Sequence, residues 1–278
     1  MSIEIENAIE ETINTGYSFR LTSYLSDVWE NFKNVILPNC GFMTLAIIIS
    51  IIVGFTPFIG IFVLIGYVFP ALTAGLFYYI HHVTLGDNLF KIFFKGFLNA
   101  NIIGYFWLYI LVSIVISIPS IIYSYNIGLY DPLIKMYELF AQGRYDRNQL
   151  TDLVKEFELL QANQGIIYKV IYYSTLFVST TFSISQLLGF PILVSSNLIG
   201  PIQALGYSFK LCFKNFWWFL LLYIAIIVLN YVGALLMTLG LMITIPLSVG
   251  IIYSIYKIEV LSKLNNNQNP LSGNNDFL

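Results

Sequence analysis

Residues 200–261 read GPIQALGYSFKLCFKNFWWFLLLYIAIIVLNYVGALLMTLGLMITIPLSVGIIYSIYKIEVL. In their first part the apolar residues Ile202, Leu205, Phe209, Cys212, Phe213 and Phe216 recur at helical spacing on one face. Gln203, Lys210 and Lys214 fall on the other. Such a helix wants an interface, with its apolar face in a membrane boundary and its lysines in water. Trp217–Leu236 and Leu241–Leu261 follow, each close to the ~20 apolar residues that cross a bilayer core. Thr238-Leu239-Gly240 supplies the turn between them. The spacing predicts a transmembrane hairpin entered through an interfacial helix, here residues 201–216.

The rest of the chain has the composition such a hairpin requires. Of 278 residues 58% are hydrophobic and only 10% charged, against roughly 25% charged in soluble domains, and mean hydropathy is +0.77. No formal charge occurs in 34–86, 96–130, 170–209 or 215–256. Those four gaps have room for six spanning helices. The first forty residues place Glu4, Glu6, Glu10, Glu11, Asp27 and Glu30 ahead of any apolar run, the reverse of a cleavable signal peptide. Two cysteines, Cys40 and Cys212, make no disulfide framework and are expected as free thiols near the inner interface. A net charge of −2 with no dense basic patch gives no footprint for nucleic acid.

Taken in order, residues 1–20 form a polar segment, disordered or a loosely attached helix. In residues 21–123, Leu21, Tyr24, Leu25, Val28, Phe32 and Val35 form the stripe of a first flat helix, with Asp27 and Glu30 opposite, ending near Pro38. Gly41–Phe55 is then the first span, closed at Thr56-Pro57. Ile61–His82 returns with a kink expected near Pro70. Asp87 is placed to cap a second flat helix carrying Phe90, Phe93, Phe94 and Phe97, and Asn99–Tyr123 is the third span. Residues 124–165 change to a soluble, mixed-charge composition and read as two extramembrane helices joined near Gly143. Residues 166–263 hold spans four to six. The fourth is kinked at Pro191 and carries Tyr168, Tyr172 and Tyr173 as an aromatic belt. Residues 264–278 are a low-complexity tail, expected to be disordered. The expected fold is therefore all-α integral membrane, with six transmembrane helices in three hairpins, each preceded by an amphipathic interfacial helix.

The three units echo one another. Phe32-Lys33-Asn34 precedes the first hairpin and Phe213-Lys214-Asn215 the last, with Phe94-Lys95-Gly96 between them. Pro70, Gly75 and Tyr79 are matched by Pro246, Gly250 and Tyr253. Lys and Arg concentrate on the flat-helix side, which predicts both termini in the cytoplasm. The run from Gly200 to Leu211, then Asn215-Phe216-Trp217, and later Pro246-Leu247 with Gly250 and Tyr253, resembles a bacterial integral-membrane family. That family is related to the membrane domain preceding some glycerophosphoryl diester phosphodiesterases. The resemblance implies a fold and a bacterial inner-membrane setting. The phosphodiesterase chemistry of such proteins resides in a separate soluble domain, so it implies no reaction here.

Candidate sites are few. His81-His82 is the whole histidine content, too little for a metal centre built on histidine. No cofactor-binding motif and no catalytic serine or cysteine context appears. Lys33, Lys91, Lys95, Lys210 and Lys214 are placed to meet anionic lipid headgroups at ~1 kcal/mol each. Ser113, Ser117 and Ser120 on the third span, and Thr175, Ser179, Ser183 and Gln186 on the fourth, form polar stripes. They serve either helix packing, at ~0.6 kcal/mol per bond, or a polar groove. Lys257, Glu259 and Lys169 read as interfacial anchors. The expectation is a non-enzymatic accessory or scaffolding component of a larger membrane assembly; the alternative is a transporter or lipid-handling protein using helices 3 and 4. The partners expected are membrane lipids and another membrane or periplasmic protein meeting residues 125–165, with no nucleic acid.

Overall fold

The computed structural model describes residues 2–54, 63–84, 90–143, 147–162, 165–196, 198–236 and 240–264. All regular structure among them is helical. The chain divides into two units, Met1–Tyr109 with Ser183–Leu278, and Ile110–Phe182. Among the described residues five helices are long and apolar enough to cross a membrane: Leu64–Val83, Ala100–Asn126, Ile166–Ser195, Phe216–Leu235 and Leu241–Leu264. Where the span Gly41–Phe55 was expected, the described residues hold a shorter apolar helix, Pro38–Ile49, below that length.

In the first unit α1 (Ser2–Thr15) is followed by α2 (Leu21–Gly54), and a π turn (Leu64–Val68) opens into α3 (Phe69–Thr84). A 3-10 turn (Phe90–Phe94) leads to α4 (Lys95–Leu98) and then to α5 (Ala100–Asn126). After the second unit, α8 (Ile166–Ser185) ends and α9 (Gly189–Ser195), α10 (Pro201–Lys214), α11 (Phe216–Leu235) and α12 (Leu241–Tyr256) follow. A second π turn, Lys257–Leu261, extends α12.

Helix α12 is the pillar of this unit. Every residue from Ser248 through Tyr256 is buried, on all sides of the helix, with α2, α3, α9 and α11 packed around it. Phe42 of α2, Phe93 of the 3-10 turn and Tyr79 of α3 form one stack, with ring centroids 4.1 and 4.2 Å apart. Where α4 crosses α3 the backbones touch: a Cβ on Gly96 would run into the carbonyl oxygen of Ala71. Only glycine fits there.

Several expectations are corrected. Helix α2 does not stop near Pro38 but runs through it; the ring removes one backbone bond, and the residues beyond it remain helical. Of the stripe residues of α2, Tyr24 is fully buried while Leu21 and Leu25 are exposed. The N-terminal segment is a docked helix: Ile5, Ala8, Ile9 and Thr12 recur at helical spacing and are buried. Its Thr12 hydroxyl donates to the Glu259 carbonyl at 3.1 Å, and Glu6 accepts from the Tyr207 hydroxyl at 2.7 Å. Near Pro70 the distortion is a π turn, in which the Phe69 amide reaches back to the Leu64 carbonyl; Pro70 has no amide to continue the ordinary ladder. The fourth apolar helix breaks at residues 186–188, ahead of Pro191. There the Ser208 hydroxyl accepts the Leu188 amide at 3.2 Å and donates to the Ser185 carbonyl at 2.7 Å, which satisfies backbone groups that the break exposes. The cap at Asp87, the turn at Thr56-Pro57 and the tail 265–278 lie outside the described residues.

The second unit contains the distal part of α5, then α6 (Asp131–Ala141), α7 (Arg147–Ala162) and the proximal part of α8. The two helices expected in residues 124–165 are present. The chain turns after α6 at Gly143, whose φ of +67° favours glycine. Helices α6 and α7 pack together, with Leu139, Leu153 and Phe157 half-buried. Lys135 and Glu156 pair at 3.7 Å, both largely exposed, so the bridge adds little. Tyr168 is buried and lies 5.7 Å from Tyr123, whereas Tyr172 and Tyr173 are exposed.

Candidate functional site

The chemistry-bearing side chains of the first unit gather at one end of α12, and each is met by a different neighbour. Ser254 donates to Asp27 at 2.8 Å and the Lys257 ammonium donates to the same carboxylate at 2.6 Å. Tyr24 donates to the Glu259 carboxylate at 2.7 Å, and Arg20 reaches the same oxygen at 3.4 Å. The Tyr253 hydroxyl stands 2.6 Å from His81 Nδ1. The Tyr256 hydroxyl stands 2.7 Å from that of Ser195.

The local sequence explains the arrangement. Tyr24 and Asp27 are three apart on α2, so they share a face, and Arg20 directly precedes that helix. Lys257 and Glu259 both lie in the π turn, and both meet residues of α2. Burial first, and then the Glu259 carboxylate, push the Tyr24 phenol above its ordinary value. It is therefore protonated and a donor at neutral pH. Glu259 is nearly fully buried, and a buried carboxylate persists only with partners such as these. Lys257 and Glu259 are thus paired groups within the protein rather than snorkelling anchors.

Beside this closed network lies an open one. A cleft of about 660 Å³ is bordered by Tyr78, His81 and His82 of α3, Lys95 and Leu98 of α4, Asn99, the first residues of α5, and Ser195. Lys95 Nζ and His82 Nε2 stand 2.9 Å apart. Asn99 is held from both ends: its amide donates to the Tyr78 hydroxyl at 2.6 Å and its carbonyl oxygen accepts the Asn101 backbone amide at 3.0 Å. Among the described residues no group of three or more His, Cys, Asp or Glu side chains could hold a metal.

The sequence-derived candidates are distributed as follows. Lys91, Lys95, Lys210 and Lys214 are exposed, while the side chain of Lys33 is outside the described ones. On α10 the inward residues are Ala204, Ser208, Leu211 and Cys212, whereas Ile202, Phe209 and Phe213 are exposed. Burial pushes the Cys212 thiol up to about 12; Cys40 is half-buried, its thiol 3.7 Å from the Met242 carbonyl. The hydroxyl stripes divide. Ser183 meets the Tyr109 hydroxyl at 3.1 Å, and buried Gln186 accepts from Tyr105 at 3.0 Å. Ser117 bonds back to the Ser113 carbonyl of its own helix at 2.8 Å. Ser113, Ser120, Thr175 and Ser179 are half-buried.

Sequence reasoning missed the pairs Asp27–Lys257 and Tyr24–Glu259. The available signal was the isolation of Lys257 and Glu259 in an apolar helix, since ionisable groups in such segments usually have named partners.

No protein-family model matches this chain. No curated protein matches it, and no solved structure does.

Proposed function

We propose that the protein is a non-enzymatic multi-pass component of a larger membrane assembly, and that its extramembrane helix pair docks another protein chain. One observation carries this reading. Helices α6 and α7 cover each other only in part, leaving Leu133, Ile134, Tyr137 and Phe140 of α6 exposed. These residues fall within one arc of α6, on a helix whose opposite arc holds the Lys135–Glu156 pair. Packing of two helices into a self-sufficient cap would have turned that arc inward. An apolar stripe with Tyr and Phe, rimmed by charge, has the character of a protein-binding surface.

The reading places six spans in three hairpins in a bacterial inner membrane, with both termini cytoplasmic and residues 125–165 outside. The lysines Lys91, Lys95, Lys210 and Lys214 and the exposed Ile202, Phe209 and Phe213 of α10 then lie at the inner interface. The resemblance of residues 200–253 to phosphodiesterase-linked membrane domains agrees with a supporting role.

The test replaces Leu133, Tyr137 and Phe140 by Ser together. The expected result is an intact, monodisperse membrane protein that has lost a stoichiometric partner found with the parent chain by cross-linking and mass spectrometry. Retention of that partner, or loss of vesicle binding instead of partner binding, overturns the docking assignment. A cysteine placed at Gln142 reports orientation in the same preparation: labelling by an impermeant reagent only after the cytoplasmic face is opened overturns it. A second reading, lipid handling, is favoured by the polar cleft beside Lys95.

A further inference from the structure

The cleft between α3, α4 and the start of α5 has a one-sided chemistry. Lys95 contributes a cation, and His82, Asn99, Asn101, Tyr78 and Ser195 contribute polar groups; among the described lining residues there is no carboxylate. Such a lining suits an anion and disfavours a metal cation, which needs carboxylate or uncrowded imidazole ligands. Its volume of about 660 Å³ exceeds what a bare ion fills and lies within the range of small-molecule sites.

The lining is also preorganised. Asn99 is pinned between Tyr78 and the Asn101 amide, and Tyr78 itself is buried. Lys95 follows the 3-10 turn whose Phe93 is locked in the aromatic stack, and its neighbour Gly96 is seated against Ala71. The ammonium is thus carried on a fixed piece of backbone although its tip is exposed. Helix α5 begins here and runs for 27 residues, so its positive end adds to the Lys95 charge. At the rim Leu98 is 85% exposed, an apolar side chain beside a polar cleft.

From this we infer that the cleft binds a phosphate group, with Lys95 as its charge partner and Asn101 as a hydrogen-bonding wall. Lysine serves phosphate as a point charge without demanding planar, bidentate geometry. Two sources share that chemistry. A phospholipid headgroup would put its phosphate in the cleft and its glycerol end along Leu98. A free phosphate or small phosphate ester would enter from water. This site is independent of the docking role of α6, which lies in the other unit.

The experiment uses the full-length protein stripped of lipid in a maltoside detergent, which contains no phosphate. One arm titrates phosphatidylglycerol and counts retained lipid by native mass spectrometry. The other titrates inorganic phosphate by calorimetry. One ligand per chain in the first arm alone assigns a lipid headgroup; one per chain in the second assigns free phosphate. In whichever arm saturates, Lys95→Gln weakens binding about tenfold, the scale of one charge-assisted contact. Lys155→Gln makes the same change of net charge on α7 and leaves the affinity within about twofold. If Lys95→Gln does not accumulate, Asn101→Leu carries the same expectation of lost affinity. Absence of one-per-chain saturation in both arms overturns the site, as does equal weakening by Lys155→Gln.

Discussion

Helices α3 and α5 are both long and apolar enough to cross a membrane, yet they live in opposite surroundings. In Leu64–Val83, the π turn with α3, 67% of the most apolar stretch is buried inside the protein; in Ala100–Asn126, α5, only 11% is. The barer helix is also the more apolar. Leu111, Ile114, Val115, Ile118, Ile121 and Ile122 of α5 are exposed on several sides, and a helix bare on most sides in hydrocarbon must be apolar around its circumference. A helix shielded by neighbours is released from that demand. Helices α3 and α12 can therefore carry Tyr78, His81, Tyr253, Ser254 and Tyr256, each bonded to a neighbouring segment. Extreme hydropathy here goes with exposure, and moderate hydropathy with scattered hydroxyls marks the core.

That contrast can be broken at the α3–α4 crossing, where the largest effect is expected. Gly96→Val forces a side chain into the Ala71 carbonyl, so the backbones must separate; the cost is more than about 4 kcal/mol. The readout is loss of monodisperse protein in detergent gel filtration. Wild-type behaviour would mean that this core is loosely packed.

A smaller effect falls on the paired charges. Asp27→Ala leaves Lys257 and Ser254 without their acceptor and costs about 2 kcal/mol, between the values for exposed and buried pairs. The double-mutant cycle with Lys257→Ala returns a coupling of about 1 kcal/mol in thermal unfolding. Additive single mutants would show that Lys257 is held by the interface alone.

The smallest effect sharpens the comparison from its other side. Leu111→Ala on bare α5 exchanges one exposed apolar residue for another and shifts stability by less than about 0.5 kcal/mol. A loss near 2 kcal/mol would reveal that this face of α5 is covered by another chain.

The stripe residues show how far the pattern could be read. On α10 the apolar periodicity was legible, but it gave a single apolar face where the folded helix has two working ones. Ala204, Ser208 and Cys212 turn inward, and Ile202, Phe209 and Phe213 face out. Small and hydroxyl residues score poorly as apolar, yet they permit the closest packing between helices. The same bias hid α1, whose buried Ile5, Ala8, Ile9 and Thr12 are diluted by surrounding glutamates. On α2 the stripe reading grouped Tyr24 with Leu25 and set Asp27 opposite, but could not show that Tyr24 is buried, Leu25 exposed and Asp27 paired with Lys257.

Local sequence determined the all-helical class, the long apolar helices, the helix pair around Gly143 and the lysine-bearing helix ends, because these follow from periodicity and composition over a dozen or so neighbouring residues. The polar cluster at the end of α12 was decided by tertiary structure alone. Asp27 and Lys257 are 230 positions apart, and whether a charge is buried depends on the partner brought to it, which no window along the chain contains. Nor does any window contain the cleft, whose Lys95, His82 and Asn101 become neighbours only when α4 settles onto α3 through Gly96.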